Sequence, residues 1–63
     1  MKGKKQIIME TALDLFAEHG MSQTTVQMVL DGSGISKGTF YKYFNSKDDI
    51  MKCLLEKHQQ DEY

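Results

Sequence analysis

Residues 24–44 read T-T-V-Q-M-V-L-D-G-S-G-I-S-K-G-T-F-Y-K-Y-F, two short helical patterns joined at Gly34. The second opens at Ser36, whose hydroxyl can accept a free backbone N–H of a first helical turn. Over Lys37 to Phe44 a 3.6-residue period sets Phe40 and Phe44 on one face, four residues apart, and spreads Lys37, Thr39, Tyr41, Lys42 and Tyr43 over the remainder. One side can pack while the other meets a ligand. Upstream, Thr24 is positioned to cap a helix that carries Val26, Val29 and Leu30, and Gly34 supplies the permissive backbone of a tight turn. Two helices so joined make a helix-turn-helix over about residues 25–44.

Outside this unit the chain again reads as helix. Ile8, Ala12, Leu15, Phe16 and His19 follow the spacing of a core-facing stripe over about Lys4 to His19, with Gly20 as the stop. Ser46-Lys47-Asp48-Asp49 resembles a capping box with Asp in place of Glu, and Ile50, Met51, Leu54 and Leu55 continue as a buried face to about Gln60. The expected fold is all-α: a small four-helix bundle with helices at about Lys4–His19, Thr25–Ser33, Lys37–Phe44 and Lys47–Gln60. Ile8, Phe16, Phe40, Phe44 and Leu54 are the expected core.

Four stretches in order, A-L-D-L-F-A-E-H-G (12–20), T-T-V (24–26), G-I-S-K-G-T-F-Y-K-Y-F (34–44) and S-K-D-D-I (46–50), carry a family resemblance. From about Gln6 to Glu56 the chain resembles the N-terminal, homeodomain-like DNA-binding domain of the tetracycline-repressor (TetR) family of bacterial transcriptional regulators. It departs from that pattern at Leu30, where a small Ala is usual, and at Gly32, where a polar or basic helical residue is usual. Tyr43 stands where His is common and Asn45 where Pro is common. Leu30 is expected to push the two helices apart unless a neighbour shrinks, and Gly32 costs about 1 kcal/mol of helix propensity against Ala.

Sixty-three residues allow one small domain, of which a chain this long buries only about 60% of its unfolded surface. The resemblance implies that residues 1–63 are a DNA-binding module and that a C-terminal domain, which binds a small-molecule effector and dimerises, is not part of this chain. A hydrophobic content of 40%, a charged content of 27% and a lone Cys53 suit a reducing bacterial cytoplasm, with association to the nucleoid. No apolar run approaches a membrane span, and Met1-Lys2-Gly3-Lys4-Lys5 does not lead into a signal-peptide core.

The net charge of −1 is unpromising for a polyanionic partner, because phosphate neutralisation dominates affinity for a duplex. Its distribution is more favourable. From Thr24 to Lys47 there are three Lys, at 37, 42 and 47, against the single acid Asp31, whereas Glu10, Asp14 and Glu18 lie along the first helix. All eight basic residues are Lys, so base reading must lean on ammonium, hydroxyl and apolar contacts rather than on the bidentate fork of Arg.

In the resembled family the second helix of the motif enters the major groove, and the matching positions are Lys37, Gly38, Thr39, Tyr41, Lys42 and Tyr43. Gly38 would permit close approach, Lys37 could donate to guanine, Thr39 could meet a thymine methyl, and Tyr41 could anchor a phosphate with its ring packed inward. Thr24, Thr25 and Ser36 stand at helix N-termini, which favour phosphate oxygens, and Lys47 is expected to reach the same DNA backbone. Lys4 and Lys5 could form an arm toward the minor groove, with a disordered tail as the alternative.

Those positions imply a sequence-specific, repressive transcription regulator acting on double-stranded DNA, with a homodimer on a palindromic operator and an effector as further partners. The rival is a helical protein-interaction module that binds no DNA, favoured by the overall acidity. Neither catalysis, a metal nor a cofactor is expected. Cys53 and His58 lie five apart on a helix and point in different directions, so Cys53 reads as a small buried hydrophobe. Met51 and Leu55 are candidates for docking against a further domain.

Overall fold

The computed structural model of the chain describes residues 3–60, with side chains through Glu56. Lys2 of the N-terminal Lys cluster and the His58 side chain lie outside the described residues. Four helices follow in order: α1 (Lys4–His19), α2 (Val26–Ser33), α3 (Lys37–Tyr43) and α4 (Lys47–Gln60). The all-α bundle read from the sequence is the observed one.

α1 starts without a side-chain cap. Gly3 precedes it in extended conformation, and its carbonyl accepts the Ile7 N–H at 3.1 Å. Its end obeys Gly20, which takes φ 85° and donates its N–H to the Phe16 carbonyl. A side chain at that φ would be strained, so the stop is written in one residue. Because the helix begins at Lys4, neither Lys4 nor Lys5 is a free arm. The Lys5 ammonium instead lies 6.0 Å from the centre of the Phe44 ring.

The cap of α2 differs from the sequence expectation by one residue. Thr25, not Thr24, is the N-cap, and its hydroxyl accepts from the Met28 N–H at 3.2 Å. Thr24 is fully buried, and its hydroxyl donates to the carbonyls of Gly20, at 2.8 Å, and Leu15, at 3.3 Å. Only one of two adjacent Thr can occupy a cap, and the other is carried into the interior, where a hydroxyl must find an acceptor. At the far end Gly34 adopts the left-handed conformation, φ 71° and ψ 18°, and donates to the Leu30 carbonyl. The Ser33 hydroxyl accepts from the Ile35 N–H at 3.3 Å and steadies the turn.

α3 begins as expected at the Ser36 cap, whose hydroxyl accepts from the Thr39 N–H at 3.2 Å and donates to the Thr39 hydroxyl at 2.9 Å. It ends one residue early, at Tyr43. Phe44 turns to extended backbone, φ −139° and ψ 141°, while its N–H still closes onto the Phe40 carbonyl. Before α4, the Asp49 carboxylate accepts from the Asn45 N–H at 2.8 Å. That is the returning half of a capping box, set one residue further back than the spacing with Ser46 implies.

All four helices meet in one core: Ile8, Ala12 and Phe16 from α1, Val29 and Leu30 from α2, Phe40 with Phe44 from the α3 end, and Ile50 from α4. Leu54, expected inside, is half-buried against this core, and Ile50 takes the fully buried place on α4. Leu30 is seated in the core rather than forcing the helices apart. Separately, at exposed Gly32 an added Cβ would stand 3.0 Å from Thr11 Cγ2 on α1. Gly32 thus exchanges helix propensity for close approach of α1 and α2.

A double substitution tests this. Gly32→Ala gains about 1 kcal/mol of propensity but overpacks Thr11, which costs about 1–3 kcal/mol, so a net loss near 1 kcal/mol is expected in chemical denaturation. Thr11→Ser removes the obstructing methyl, and on that background Gly32→Ala should stabilise. Stabilisation by Gly32→Ala alone would mean that the helices are not in contact there.

Candidate nucleic-acid interface

α3 is a short rod with two unlike sides. Phe40 is 0% exposed and Phe44 2%. Their rings lie 5.9 Å apart between centroids and fasten the rod to the bundle. On the opposite side Lys37, Gly38, Tyr41, Lys42 and Tyr43 are exposed, and Thr39 is half-buried. Tyr41 and Tyr43 are each 44% exposed. The Tyr41 ring meets Phe40 edge-on, with centroids 5.1 Å apart and planes at 81°, so its ring leans inward and its exposed part remains free. A T-shaped contact of this kind holds the ring direction and adds about 0.5–1.5 kcal/mol.

The face so presented is cationic and open. Lys37 and Lys42 make no side-chain hydrogen bond or ion pair among the described residues, and a Cβ added at Gly38 would find nothing within 4 Å. Asp31, the acid within the helix-turn-helix, accepts from the Gln27 amide at 2.9 Å. The Thr25 and Ser36 hydroxyls are both engaged in capping, with their residues exposed at the starts of α2 and α3.

Two of the sequence-selected residues are placed elsewhere. Thr24 is buried, so its side chain belongs to the core. Lys47, expected to reach the DNA backbone, turns onto its own chain and donates to the carbonyls of Met21 and Thr24, each at 2.7 Å. The local surplus of positive charge at the exposed face therefore rests on Lys37 and Lys42. No sequence signal marks the Lys47 contact, which joins residues more than twenty positions apart.

Between α1 and α4 runs an open groove lined by Met9, Leu13, Cys53 and Leu54 together with the polar Lys5, Gln6, Glu10 and Glu56. Leu13 and Leu55 are exposed there and beside it, at 49% and 58%. Met51 is half-buried against the core, and Cys53 is half-buried, not fully enclosed. Among the described residues no group of three or more His, Cys, Asp or Glu is arranged to hold a metal ion. Among the described residues no helix is long and apolar enough to cross a membrane.

Helices α2 and α3, joined through the left-handed Gly34 with the second helix exposed along one side, define a helix-turn-helix domain. Residues 8–54 match the family model described as bacterial regulatory proteins, tetR family, and the chain belongs to that family. It is 47% identical over 55 residues to the HTH-type transcriptional regulator YuxN of Bacillus subtilis, covering 87% of this chain and 19% of that protein. To the HTH-type transcriptional repressor KstR2 of Mycobacterium tuberculosis it is 42% identical over 48 residues, 76% of this chain and 24% of that protein. To the fatty acid metabolism regulator protein of Bacillus subtilis it is 35% identical over 49 residues, 78% of this chain and 25% of that protein. The chain thus spans about a quarter or less of the length of these relatives. No solved structure matches it. The matched domain is that of a family of bacterial regulatory proteins, and these relatives are named as regulators or repressors, a class that is not enzymatic.

Proposed function

We propose that the exposed side of α3 enters the major groove of an operator and that the whole protein represses transcription as a homodimer. The observation that carries this reading is the division of α3 itself. Phe40 and Phe44 are buried, while Lys37, Gly38, Lys42 and Tyr43 face solvent without partners that would have to be broken. Lys37 and Thr39, in the first turn, are assigned to base edges. Lys42 and the hydroxyls of Tyr41 and Tyr43 are assigned to phosphates, joined by the N–H groups at the starts of α2 and α3 near Thr25 and Ser36. Gly38 lets the helix backbone come close.

The remainder of the protein, four-fifths or so of the length of relatives such as YuxN, would hold an effector site and the dimer contacts. The groove between α1 and α4, of mixed polar and apolar lining, with Leu13 and Leu55 exposed, suits packing against such a domain. A dimer places two α3 helices in successive major grooves of a palindrome, and effector binding would alter their separation. Dimerisation also makes the second half-site contact intramolecular, so an isolated module should bind weakly.

A salt titration of duplex binding tests the assignment. Lys42→Ala should weaken binding to all sequences and lower the slope of log K against log salt by about 1 per half-site, while Lys37→Ala should relax preference at one base position by about 1–3 kcal/mol. Unchanged affinity after both substitutions would exclude the α3 face as the interface.

A further inference from the structure

Ser36 and Thr39 are joined across the first turn of α3 by two hydrogen bonds. The Ser36 Oγ accepts the Thr39 N–H at 3.2 Å and donates its own hydrogen to Thr39 Oγ1 at 2.9 Å. A hydroxyl has one hydrogen to give and two lone pairs to fill. Here Ser36 fills one lone pair of Thr39, and the Thr39 hydrogen remains to be placed. A helical Thr or Ser can give that hydrogen to a carbonyl three or four residues earlier. Ser33 does so, to Leu30 O at 3.4 Å, and the Thr24 hydroxyl gives its hydrogen to the carbonyls of Gly20 and Leu15. Thr39 does not: among the described residues its hydroxyl accepts from Ser36 and gives to no acceptor. The exposed Ser36, Lys42 and Tyr43, three or four positions away, share its side of the helix.

We propose that Ser36 is a positioning residue that sets the polarity of Thr39: held by the Ser36 hydroxyl, Thr39 gives a hydrogen bond to an acceptor of the duplex in preference to taking one from a donor. The role rests on the DNA-binding reading above. Two effects of the pair act together. The bond from Ser36 holds the Thr39 side chain in one of the two rotamers that a helical Thr shares out, so its hydroxyl stays in one place. It also polarises the Thr39 O–H, because a hydroxyl that accepts a bond donates a stronger one. The acceptors within this chemistry are purine N7, guanine O6 and thymine O4 on base edges, and phosphate oxygens. Cytosine, which offers only an amino donor in the major groove, is the base disfavoured.

A double-mutant cycle in duplex binding tests the pair. Thr39→Val keeps the shape and removes the hydroxyl, and should weaken binding about tenfold per half-site. Ser36→Asn keeps the helix start, since an amide oxygen caps as well as a hydroxyl, so thermal unfolding should stay within a few degrees. That oxygen can only accept, so it draws the Thr39 hydrogen back toward position 36, and binding should weaken about three- to tenfold per half-site. On the Thr39→Val background Ser36→Asn should change affinity less than about twofold. If Ser36→Asn lowers the unfolding midpoint, Ser36→Gly, also tolerated at a helix start, should show the same dependence on Thr39 with a loss of about threefold. A Thr39→Val loss confined to duplexes with a purine or thymine at one position puts the acceptor on a base edge, and an equal loss on all duplexes puts it on a phosphate. A loss confined to cytosine at that position would make Thr39 an acceptor and overturn the proposal. Full loss from Ser36→Asn on the Thr39→Val background, or unchanged affinity in either single variant, would overturn it equally. Failure of the unsubstituted protein to bind any duplex would remove the DNA reading itself, and this role with it.

Discussion

Phe40→Ala should remove a large part of the domain's stability at 25 °C. Truncating a fully enclosed Phe costs about 3–5 kcal/mol, through lost burial and the cavity left behind. A domain of this length is expected to have only about 3–9 kcal/mol to lose. Phe40 has 0% of its surface exposed. It touches Tyr41 and Phe44 through its ring and sits among residues contributed by all four helices. The loss therefore falls on the core and on the attachment of α3 together. Thermal unfolding followed by circular dichroism should show the cooperative transition lowered by tens of degrees or absent. A transition within a few degrees of the parent would mean that α3 is not anchored by its aromatic side.

Gly38→Leu should do the opposite: leave stability intact and damage binding. At Gly38 the surrounding space is empty in the protein, and helix propensity favours Leu over Gly by up to about 1 kcal/mol. If the α3 backbone meets a duplex closely at this point, the new side chain occupies the space that the groove wall needs. By analogy with overpacked interiors, about 1–3 kcal/mol, the expected loss in affinity is about ten- to hundredfold. Duplex titration alongside thermal unfolding reads both effects at once. Wild-type affinity with raised stability would show that Gly38 faces open solvent in the complex as well.

Local rules carried most of the fold. Gly20 and Gly34 stop α1 and α2 because each needs a backbone angle that side chains resist, and Ser36 starts α3 because its hydroxyl meets an otherwise unpaired N–H. Those effects act within four residues, which is the range a sequence pattern covers. The exposed side of α3 was legible for the same reason, since the i, i+4 pair Phe40 and Phe44 fixes what must face away.

What escaped were contacts between distant positions. Nothing near Lys47 announces that its ammonium will be taken by carbonyls more than twenty residues earlier. Nothing near Gly32 announces a methyl of α1 opposite it. Thr24 and Thr25 were separable only once the course of α1 decided which of them turned inward. Lys5, expected at the start of α1 and in either a minor-groove arm or a disordered tail, is carried by α1 over Phe44. In each case the deciding partner is supplied by tertiary packing rather than by local spacing.

The central claim, that the unburied side of α3 meets the duplex, is tested most directly by amide chemical-shift mapping. A duplex selected from a random pool by the protein would be titrated into isotope-labelled protein. The largest perturbations are predicted along residues 37–43 and at the first turn of α2 after Thr25. Perturbations confined to Met9, Leu13, Cys53 and Leu54, with residues 37–43 unmoved, would contradict it and place the working surface in the groove between α1 and α4.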